Sequence, residues 1–299
     1  MVNRRVMMYP IKFKPIIKEM IWGSESWDIT CRQNEMGIIE NGEYEGMAFV
    51  DFIAKDRNAV LGTKAGGNFP LLVKTIDARD VLSVQVHPND EYARINGKGD
   101  TGKSELWYIL TPPTDGQLIV GLRDGVTRDI LAKAYEDKTI EQYLNCMTVK
   151  KGDIINIPAG LIHALTPGIR VIEIQQNSDI TYRLYDFGRV GTDGKPRELH
   201  VNDALAVVDY TAKNDVNVSP SEHFTVEKLN VSELFRTSSN EQMFSVYTCL
   251  DGEAVFQTTS HTVELKETKS VFIPAGLGDY VIYPQGEDVT LLKSEPMAC

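Results

Sequence analysis

Apolar residues recur along most of this chain in short runs that are bounded by glycine, proline, asparagine or aspartate. Within several runs apolar and polar positions alternate, which is typical of a strand with one buried face. Many short strands at this spacing predict an antiparallel sandwich or barrel. The runs that carry the prediction are FPLLVKTI (69–76), LSVQVH (82–87), ELWYIL (105–110), QLIVGL (117–122), DIINIP (153–158), RVIEIQQ (170–176) and TYRLYDF (181–187).

Two stretches have a helical rather than an alternating pattern. Residues 127–145, TRDILAKAYEDKTIEQYLN, predict a helical insertion with Thr127 as its cap, and residues 201–208 predict a short helix. The polar segment 211–221 contains a proline and predicts a linker. We therefore expect one domain at 1–210 and a second at 211–299.

A sequence repeat relates the two predicted domains. SVFIPAGLGDYVI near the end of the chain restates INIPAGLIHALT, and Asp279 stands where the first copy has His163. Either this short match arose by chance, or a duplicated unit has kept its chemistry in one copy only. The second alternative predicts two similar barrels, of which the C-terminal one is degenerate and lacks metal ligands.

Several side chains of the first domain suit a metal site. Gln85 and His87 are two apart on one strand and so project from the same face, while His163 follows a glycine turn and Glu105 begins another strand. Such a mixed set of nitrogen and oxygen donors suits Zn²⁺ or another first-row divalent ion. The alternative for Glu105 is a carboxylate that faces solvent at the start of a strand. A structural role is the simplest interpretation of the other histidines, His200, His223 and His261.

Charge and cysteine content narrow the class of protein. The formal net charge of −11 argues against nucleic acid or an anionic membrane as a partner, because either needs a basic surface. Four scattered cysteines without a CxxC pair predict reduced thiols, and no segment approaches the roughly 20 apolar residues of a membrane span. The expected location is cytoplasmic.

The turn before the second histidine carries a family resemblance. The pattern G-x5-P-x-G-x2-H is formed here by Gly152, Pro158, Gly160 and His163, and it resembles the second motif of the cupin superfamily. The resemblance implies a mainly β fold of two cupin-like double-stranded β-helix barrels with a few short helices.

The first cupin motif departs from its usual form. Its His-x-His is Gln85-x-His87 here, and its glutamate is displaced to Glu105 by the insertion 88–104. In this departure the chain is similar to the type I mannose-6-phosphate isomerases in their short bacterial form. The stretches that carry the similarity are QVHP, GKSELWY, PAGLIHAL and EIQQNSDITYRLYDFGR.

This resemblance implies an enzyme that interconverts mannose 6-phosphate and fructose 6-phosphate through a metal-stabilised cis-enediol. It implies one zinc ion per chain, a sugar phosphate as the small-molecule partner, and a monomer or homodimer. The implied zinc ligands are Gln85, His87, Glu105 and His163. The implied catalytic residues are Lys103, Glu173 and Arg183, and the residues implied near the substrate are Ser83, Lys103 and Arg183.

Simpler interpretations of these residues stay open at this point. Lys103 could be a surface lysine, Glu173 a solvated strand residue, and Arg183 the partner of Asp179 or Asp186 in a structural ion pair. If the catalytic roles hold, either Glu173 or Lys103 could be the general base. The alternative functions are a non-catalytic cupin that binds a sugar phosphate and another metal-dependent sugar enzyme.

Overall fold

The chain folds into two compact units, each assembled from separate segments. The first unit comprises Met1–Ile16, Trp27–Lys74 and Glu222–Cys299, and the second comprises Ile17–Ser26 and Thr75–Ser221. The single boundary after residue 210 stays a prediction, and most of the linker expected at 211–221 lies outside the described residues. The computed structural model describes residues 6–96, 99–191, 194–212, 217 and 221–298.

Strands dominate the described residues, as the alternating pattern predicted. Their bounds are β1 (Phe13–Lys14), β2 (Ile16–Met20), β3 (Gly23–Ile29), β4 (Ile38–Ile39), β5 (Leu71–Ala78), β6 (Val84–Val86), β7 (Glu105–Thr111), β8 (Gln117–Leu122), β9 (Leu144–Thr148), β10 (Ile154–Ile157), β11 (His163–Ala164), β12 (Arg170–Gln176), β13 (Tyr182–Tyr185), β14 (Phe224–Val231), β15 (Phe235–Ser238), β16 (Ser245–Asp251), β17 (Glu253–Gln257), β18 (Thr262–Lys266), β19 (Ser270–Ile273), β20 (Asp279–Pro284) and β21 (Val289–Pro296).

The helices are short, which confirms the prediction of a mainly β fold with few helices. None of those in the described part of the chain is both long and apolar enough to cross a membrane. Their bounds are α1 (Phe49–Lys55), α2 (Arg57–Leu61), α3 (Asp90–Asn96), α4 (Arg128–Glu136) and α5 (Val201–Val207).

The helix expected over 127–145 is shorter than predicted. Thr127 caps α4 by accepting a hydrogen bond from the backbone N–H of Ile130, but α4 ends at Glu136. Lys138 then adopts a positive φ of 57°, which an α-helix cannot continue. The rest of the stretch forms a 3₁₀ turn and the strand β9, so the second half of that prediction is wrong.

The apolar core of the second unit lies between two sheets, of which strands β2, β3 and β5 belong to this unit only in part. The strand orders are β10-β7-β12-β5-β3-β2 and β13-β6-β11-β8-β9. Trp107 and Val171 of the first sheet share one buried cluster with Leu118 and Val120 of the second. Side chains on the inner faces of β6, β7, β11 and β12 therefore point into the space between the sheets.

In the first unit, the strands of 222–299 form two further sheets, with the orders β14-β21-β16-β19 and β15-β20-β17-β18. Their shared interior is filled by large aromatic side chains, among them Tyr247, Phe256 and Tyr280. The hydroxyl groups of Tyr247 and Tyr280 lie 2.9 Å apart, so each of these buried polar groups has a partner.

The two copies of the repeated turn have the same local structure. The backbone N–H of Leu161 donates to the carbonyl of Pro158, and that of Leu277 donates to Pro274, both at 3.1 Å. A strand begins two residues later in each copy, at His163 in one and at Asp279 in the other. His163 is buried, whereas Asp279 is exposed.

The glycine of the first turn occupies a position where a side chain would be both strained and crowded. Gly160 has a φ of +86° and donates its N–H to the carbonyl of His87, and an added Cβ would lie 3.1 Å from both Asp209 Cβ and Val207 O. We expect Gly160→Ala to destabilise the protein by about 2 kcal/mol, through left-handed backbone strain and crowding. Gly125→Ala is the matched control, since its φ is +80° with no atom within 4 Å of the added Cβ. Equal losses in urea unfolding of the two variants would contradict the crowding argument.

The cysteines behave as the sequence predicted, within the described residues. Cys31, Cys146 and Cys249 are free thiols. Burial raises the pKa of Cys249 to about 12, which keeps that thiol protonated and unreactive. Cys299 lies outside the described residues.

Candidate active site

Side chains from both sheets of the second unit meet in a buried cluster. Gln85 is on β6 and His163 begins β11, and the two are directly opposite each other across the strand pair. Glu105 begins β7 in the facing sheet. His87, which follows β6, completes a group in which one ligand atom each of His87, Glu105 and His163 lie within 4.8 Å of one another. All three side chains are only 1% exposed.

Backbone carbonyls fix the tautomer of both histidines. His87 Nδ1 lies 2.8 Å from the carbonyl of Ile180, and His163 Nδ1 lies 2.9 Å from that of Leu161. A carbonyl oxygen can only accept, so each Nδ1 carries the proton and each Nε2 presents a lone pair. Metal-bound histidines commonly donate the proton of their other ring nitrogen to a carbonyl in this way, which fixes the orientation of the ring.

The carboxylate of Glu105 stands between the two Nε2 atoms and a buried ammonium. Its Oε1 lies 3.2 Å from His87 Nε2 and 2.8 Å from Lys103 Nζ, and its Oε2 lies 3.7 Å from His163 Nε2. Burial alone would raise the pKa of Glu105, but Lys103 and the two histidines outweigh it and hold that pKa well below its usual value. Glu105 is therefore a charged carboxylate. Because it is buried, the alternative interpretation, that it faces solvent, is wrong.

Gln85 lies beside the cluster with its amide nitrogen, not its oxygen, towards the metal-site atoms. Its Nε2 donates to His163 Nε2 at 3.3 Å, and its Oε1 accepts from Ser83 Oγ at 3.4 Å. An oxygen ligand from Gln85 therefore requires rotation of the amide group by half a turn.

Glu173 is buried rather than solvated, so its simpler interpretation is wrong as well. It is 2% exposed and lies opposite Trp107 in the pairing of β12 with β7. The indole Nε1–H of Trp107 donates to Glu173 Oε2 at 2.7 Å. The same indole ring packs edge-on to His163, with ring centroids 5.3 Å apart. Trp107 therefore contacts both the candidate base and a candidate metal ligand.

Arg183 lies next to Gln85 in the pairing of β13 with β6. Its Nε donates to Ser83 Oγ at 3.3 Å and its Nη1 donates to the carbonyl of Glu198 at 2.7 Å. In the described parts of the chain, no carboxylate lies within salt-bridge distance of its guanidinium, so the alternative of an ion pair with Asp179 or Asp186 is wrong. Arg183, Ser83 and Gln85 thus form a chain of hydrogen bonds that ends at His163.

Lys103 is also buried, at 5% exposure. The alternative interpretation, that it is a surface lysine, is therefore wrong. The other histidines lie outside the cluster: His200 accepts a hydrogen bond from the backbone of Arg183, and His261 stacks on Tyr9. A functional role for Lys103 therefore has structural support that the remaining histidines lack.

Known proteins are similar to this chain in sequence and fold. A family model described as the catalytic domain of type I phosphomannose isomerase matches residues 7–112, and one described as the cupin domain of mannose-6-phosphate isomerase matches residues 215–291. Mannose-6-phosphate isomerase ManA of Bacillus subtilis (strain 168) is 33% identical over 91% of this chain and 95% of its own length. The chain belongs to the type I phosphomannose isomerase family.

Two further comparisons agree with membership of the type I phosphomannose isomerases. The probable mannose-6-phosphate isomerase GmuF of the same organism is 31% identical over 92% of this chain and 96% of its own length. The crystal structure of the mannose 6-phosphate isomerase from Bacillus subtilis superimposes with a TM-score of 0.87 at 28% identity, covering 95% of this chain and 99% of that one. The prediction of two cupin-like barrels is confirmed, and the family is one of enzymes.

Two residues of the site were missed in the sequence analysis. The pattern assigns Trp107 to the core, and only the pairing of β7 with β12 reveals its bond to Glu173. Gln175 lies opposite Glu105, fully buried, with its amide nitrogen bound to the carbonyls of Gln176 and Ser178. The alternation in VIEIQQ places Gln175 on the face of Glu173, and this is the signal that could have found it.

The electrostatics of His87 predict how the metal-free protein responds to acid. Burial, and next the charge of Lys103, lower the pKa of His87 to about 3, although Glu105 opposes this. In the unfolded chain His87 takes up a proton near pH 6.5, whereas in the folded protein it stays neutral down to about pH 3. The free energy of unfolding is therefore at its full value above pH 6.5 and falls as the pH is lowered from about 6.5 to 3. We expect chelator-treated protein to lose stability in urea from pH 7.5 to pH 5.

The matched variants for this acid response are His87→Gln and His261→Gln. His87→Gln should flatten the loss of unfolding free energy between pH 7.5 and pH 5, because the group that resists protonation is gone. His261→Gln, which lies outside the cluster, should follow the unsubstituted protein. The same slope in all three proteins would mean that His87 does not govern the response.

Proposed function

We propose that this protein is a zinc-dependent aldose–ketose isomerase that interconverts mannose 6-phosphate and fructose 6-phosphate. The observation that carries the proposal is the buried group of His87, Glu105 and His163, whose ligand atoms lie within 4.8 Å of one another. The curated relatives that bear the name mannose-6-phosphate isomerase add the substrate. We retain the expectations of a cytoplasmic protein and of a monomer or homodimer.

The donor set fits one zinc ion per chain. Two neutral imidazole nitrogens and one carboxylate oxygen are common zinc donors, and Glu105 Oε2 is buried without a hydrogen bond. A fourth donor, the oxygen of Gln85, becomes available when its amide rotates. When bound, the ion supplies Lewis-acid stabilisation of the negative charge that develops during proton transfer beside a carbonyl.

Glu173 is the residue we assign to proton transfer between C2 and C1 through the cis-enediol. Its carboxylate is buried, and the indole N–H of Trp107 holds one oxygen at 2.7 Å, so the carboxylate has a fixed orientation. General base catalysis requires such a positioned group. Lys103 suits the role less well, because its ammonium is 2.8 Å from the carboxylate of Glu105 in a buried ion pair.

The positive groups of the site suit an anionic sugar. Arg183 is not paired with a carboxylate among the described residues and can present its forked donors to phosphate oxygens, with the hydroxyl of Ser83 beside it. Lys103 brings a second positive charge, which offsets Glu105 and favours negative charge on the substrate. We therefore assign Ser83, Lys103 and Arg183 to substrate binding.

The test is turnover of mannose 6-phosphate to fructose 6-phosphate by purified protein, measured before chelation, after chelation and after addition of Zn²⁺. We expect activity that disappears with the metal and returns with zinc, at one zinc per chain. Mg²⁺ added back in place of Zn²⁺ is the control, because Mg²⁺ prefers all-oxygen sites.

Two results would overturn parts of the proposal. Full activity in protein without measurable metal would remove the zinc requirement and leave the isomerase. No turnover by protein that holds one zinc per chain would favour a cupin that binds a sugar phosphate without catalysis, or a different metal-dependent sugar enzyme. Calorimetric binding of mannose 6-phosphate then separates these last two.

A further inference from the structure

A buried aspartate with two arginine partners lies at the end of β13, three residues after Arg183. Asp186 is only 5% exposed. Arg197 approaches it side-on, with Nε 2.7 Å from Oδ2 and Nη2 in contact with Oδ1. Arg189 Nη2 lies 2.6 Å from the same Oδ1. Both oxygens of Asp186 are therefore occupied by charge-assisted hydrogen bonds.

The two arginines reach Asp186 from positions three and eleven residues further along the chain. Phe187 and Gly188 have φ angles of 54° and 69°, and this turn lets the N–H of Arg189 donate to the carbonyl of Asp186 at 3.0 Å. A bridge between residues 190 and 196 then returns the chain, so that Arg197 lies alongside. The pairing is thus built into the backbone of the segment.

Arg183 remains outside this ion-pair network although it is close to it. Burial, and then the charge of Arg197, lower the pKa of Arg183, whereas the charge of Asp186 raises it. Its hydrogen bonds go to Ser83 Oγ and to the carbonyl of Glu198, and both acceptors are uncharged. The positive charge of Arg183 is consequently not neutralised by a direct partner in the described part of the chain.

We propose that Arg197 and Arg189 are positioning residues, which occupy Asp186 and so keep the guanidinium of Arg183 directed to Ser83 and available to a phosphate group. Without Arg197, Oδ2 of Asp186 loses its donor, and Asp186, whose charge already acts on Arg183, would then attract that guanidinium. Arg183 would then turn away from Ser83. This inference rests on the proposed function, since it takes the anion to be the phosphate of a hexose phosphate.

The central experiment is calorimetric titration of the zinc-loaded protein with inorganic phosphate. We expect Arg197→Met to weaken phosphate binding about tenfold, which corresponds to the loss of one charge-assisted interaction. Arg183→Met measures how much phosphate affinity is lost when the guanidinium itself is absent. Arg170→Met is the matched control, because Arg170 pairs with Asp77 in the same unit, and it should bind phosphate as the unsubstituted protein does.

The decisive variant is Arg197→Met combined with Asp186→Asn. Asparagine has no charge to attract Arg183, so we expect phosphate affinity to return to the unsubstituted value. Phosphate binding that stays weak in the double variant would overturn the inference and make Arg197 a direct phosphate ligand. A lower Tm of Arg197→Met without weaker phosphate binding would overturn it too, because the role would then be structural only.

Further measurements keep the test valid if Arg197→Met folds poorly. Arg197→Lys retains the charge but cannot form the fork with Asp186, so we expect weaker phosphate binding in a folded protein. Unsubstituted protein that binds phosphate but does not convert mannose 6-phosphate would end the proposed function and leave this inference standing. Normal turnover together with unchanged phosphate affinity in both Arg197 variants would overturn this inference and leave the proposed function standing.

Discussion

Glu105→Gln is expected to abolish metal binding and to lower the turnover rate about a thousandfold. Glutamine has the same shape, but it is uncharged and a much weaker ligand. Loss of several kcal/mol of metal-dependent transition-state stabilisation corresponds to this factor. The substitution also leaves the buried ammonium of Lys103 without its partner at 2.8 Å, so we expect a loss of about 3–5 kcal/mol in unfolding free energy. Metal analysis, turnover and urea unfolding of one preparation measure all three effects.

Two further variants separate metal loss from instability. Glu105→Gln combined with Lys103→Met removes both charges of the pair, so stability should recover in part while metal and activity remain absent. Glu198→Gln is the control for a general loss of negative charge, because the side chain of Glu198 is 84% exposed. If Glu105→Gln retained one zinc per chain and normal turnover, Glu105 could not be a metal ligand.

Glu173→Gln is expected to lower kcat by about 10²–10⁴ with little change in zinc content or Tm. Glutamine cannot take up the substrate proton, but its carbonyl oxygen can still accept the hydrogen bond of Trp107, so the packing survives. The most direct measurement is incorporation of solvent tritium at C2 of mannose 6-phosphate, which reports proton transfer itself. KM should change much less than kcat, because the residue acts on the reacting carbon and not on the phosphate.

The same exchange measurement distinguishes the two candidate bases. If Glu173 is the base, Glu173→Gln abolishes tritium incorporation. Trp107→Phe, which keeps an aromatic ring but no N–H donor, should then lower kcat by a smaller factor, since the carboxylate loses a fixed orientation. Incorporation that persists in Glu173→Gln and vanishes in zinc-loaded Lys103→Met would assign the proton transfer to Lys103.

Local sequence patterns are sufficient to predict the strands and much of the candidate site. Alternation fixes which residues of a strand share a face, so the sequence alone groups Gln85 with His87. The glycine turn before His163 fixes where the next strand begins. The pairing of β6 with β11, which places Gln85 opposite His163, depends instead on how distant segments meet in the fold.

The partners of the charged groups could not be predicted, because they are set by contacts between distant segments. Asp186 is a possible partner of Arg183 from spacing alone, yet Arg197 takes that position after the chain doubles back. The bond between Trp107 and Glu173 depends in the same way on strand register. The end of α4 at Glu136 is not predicted because apolar periodicity continues through a segment whose backbone turns left-handed at Lys138.

The segmented make-up of the first unit affects the order in which the protein can fold during synthesis. All residues of the second unit, including the whole candidate active site, have left the ribosome before most of β14–β21 is translated. Phe49 and Phe69, by contrast, pack against Phe272 in the first unit, more than 200 positions later in the chain. The nascent chain therefore carries a complete set of candidate metal ligands while these early aromatic residues still lack their partner, and during that interval it exposes apolar surface of the kind that chaperones bind.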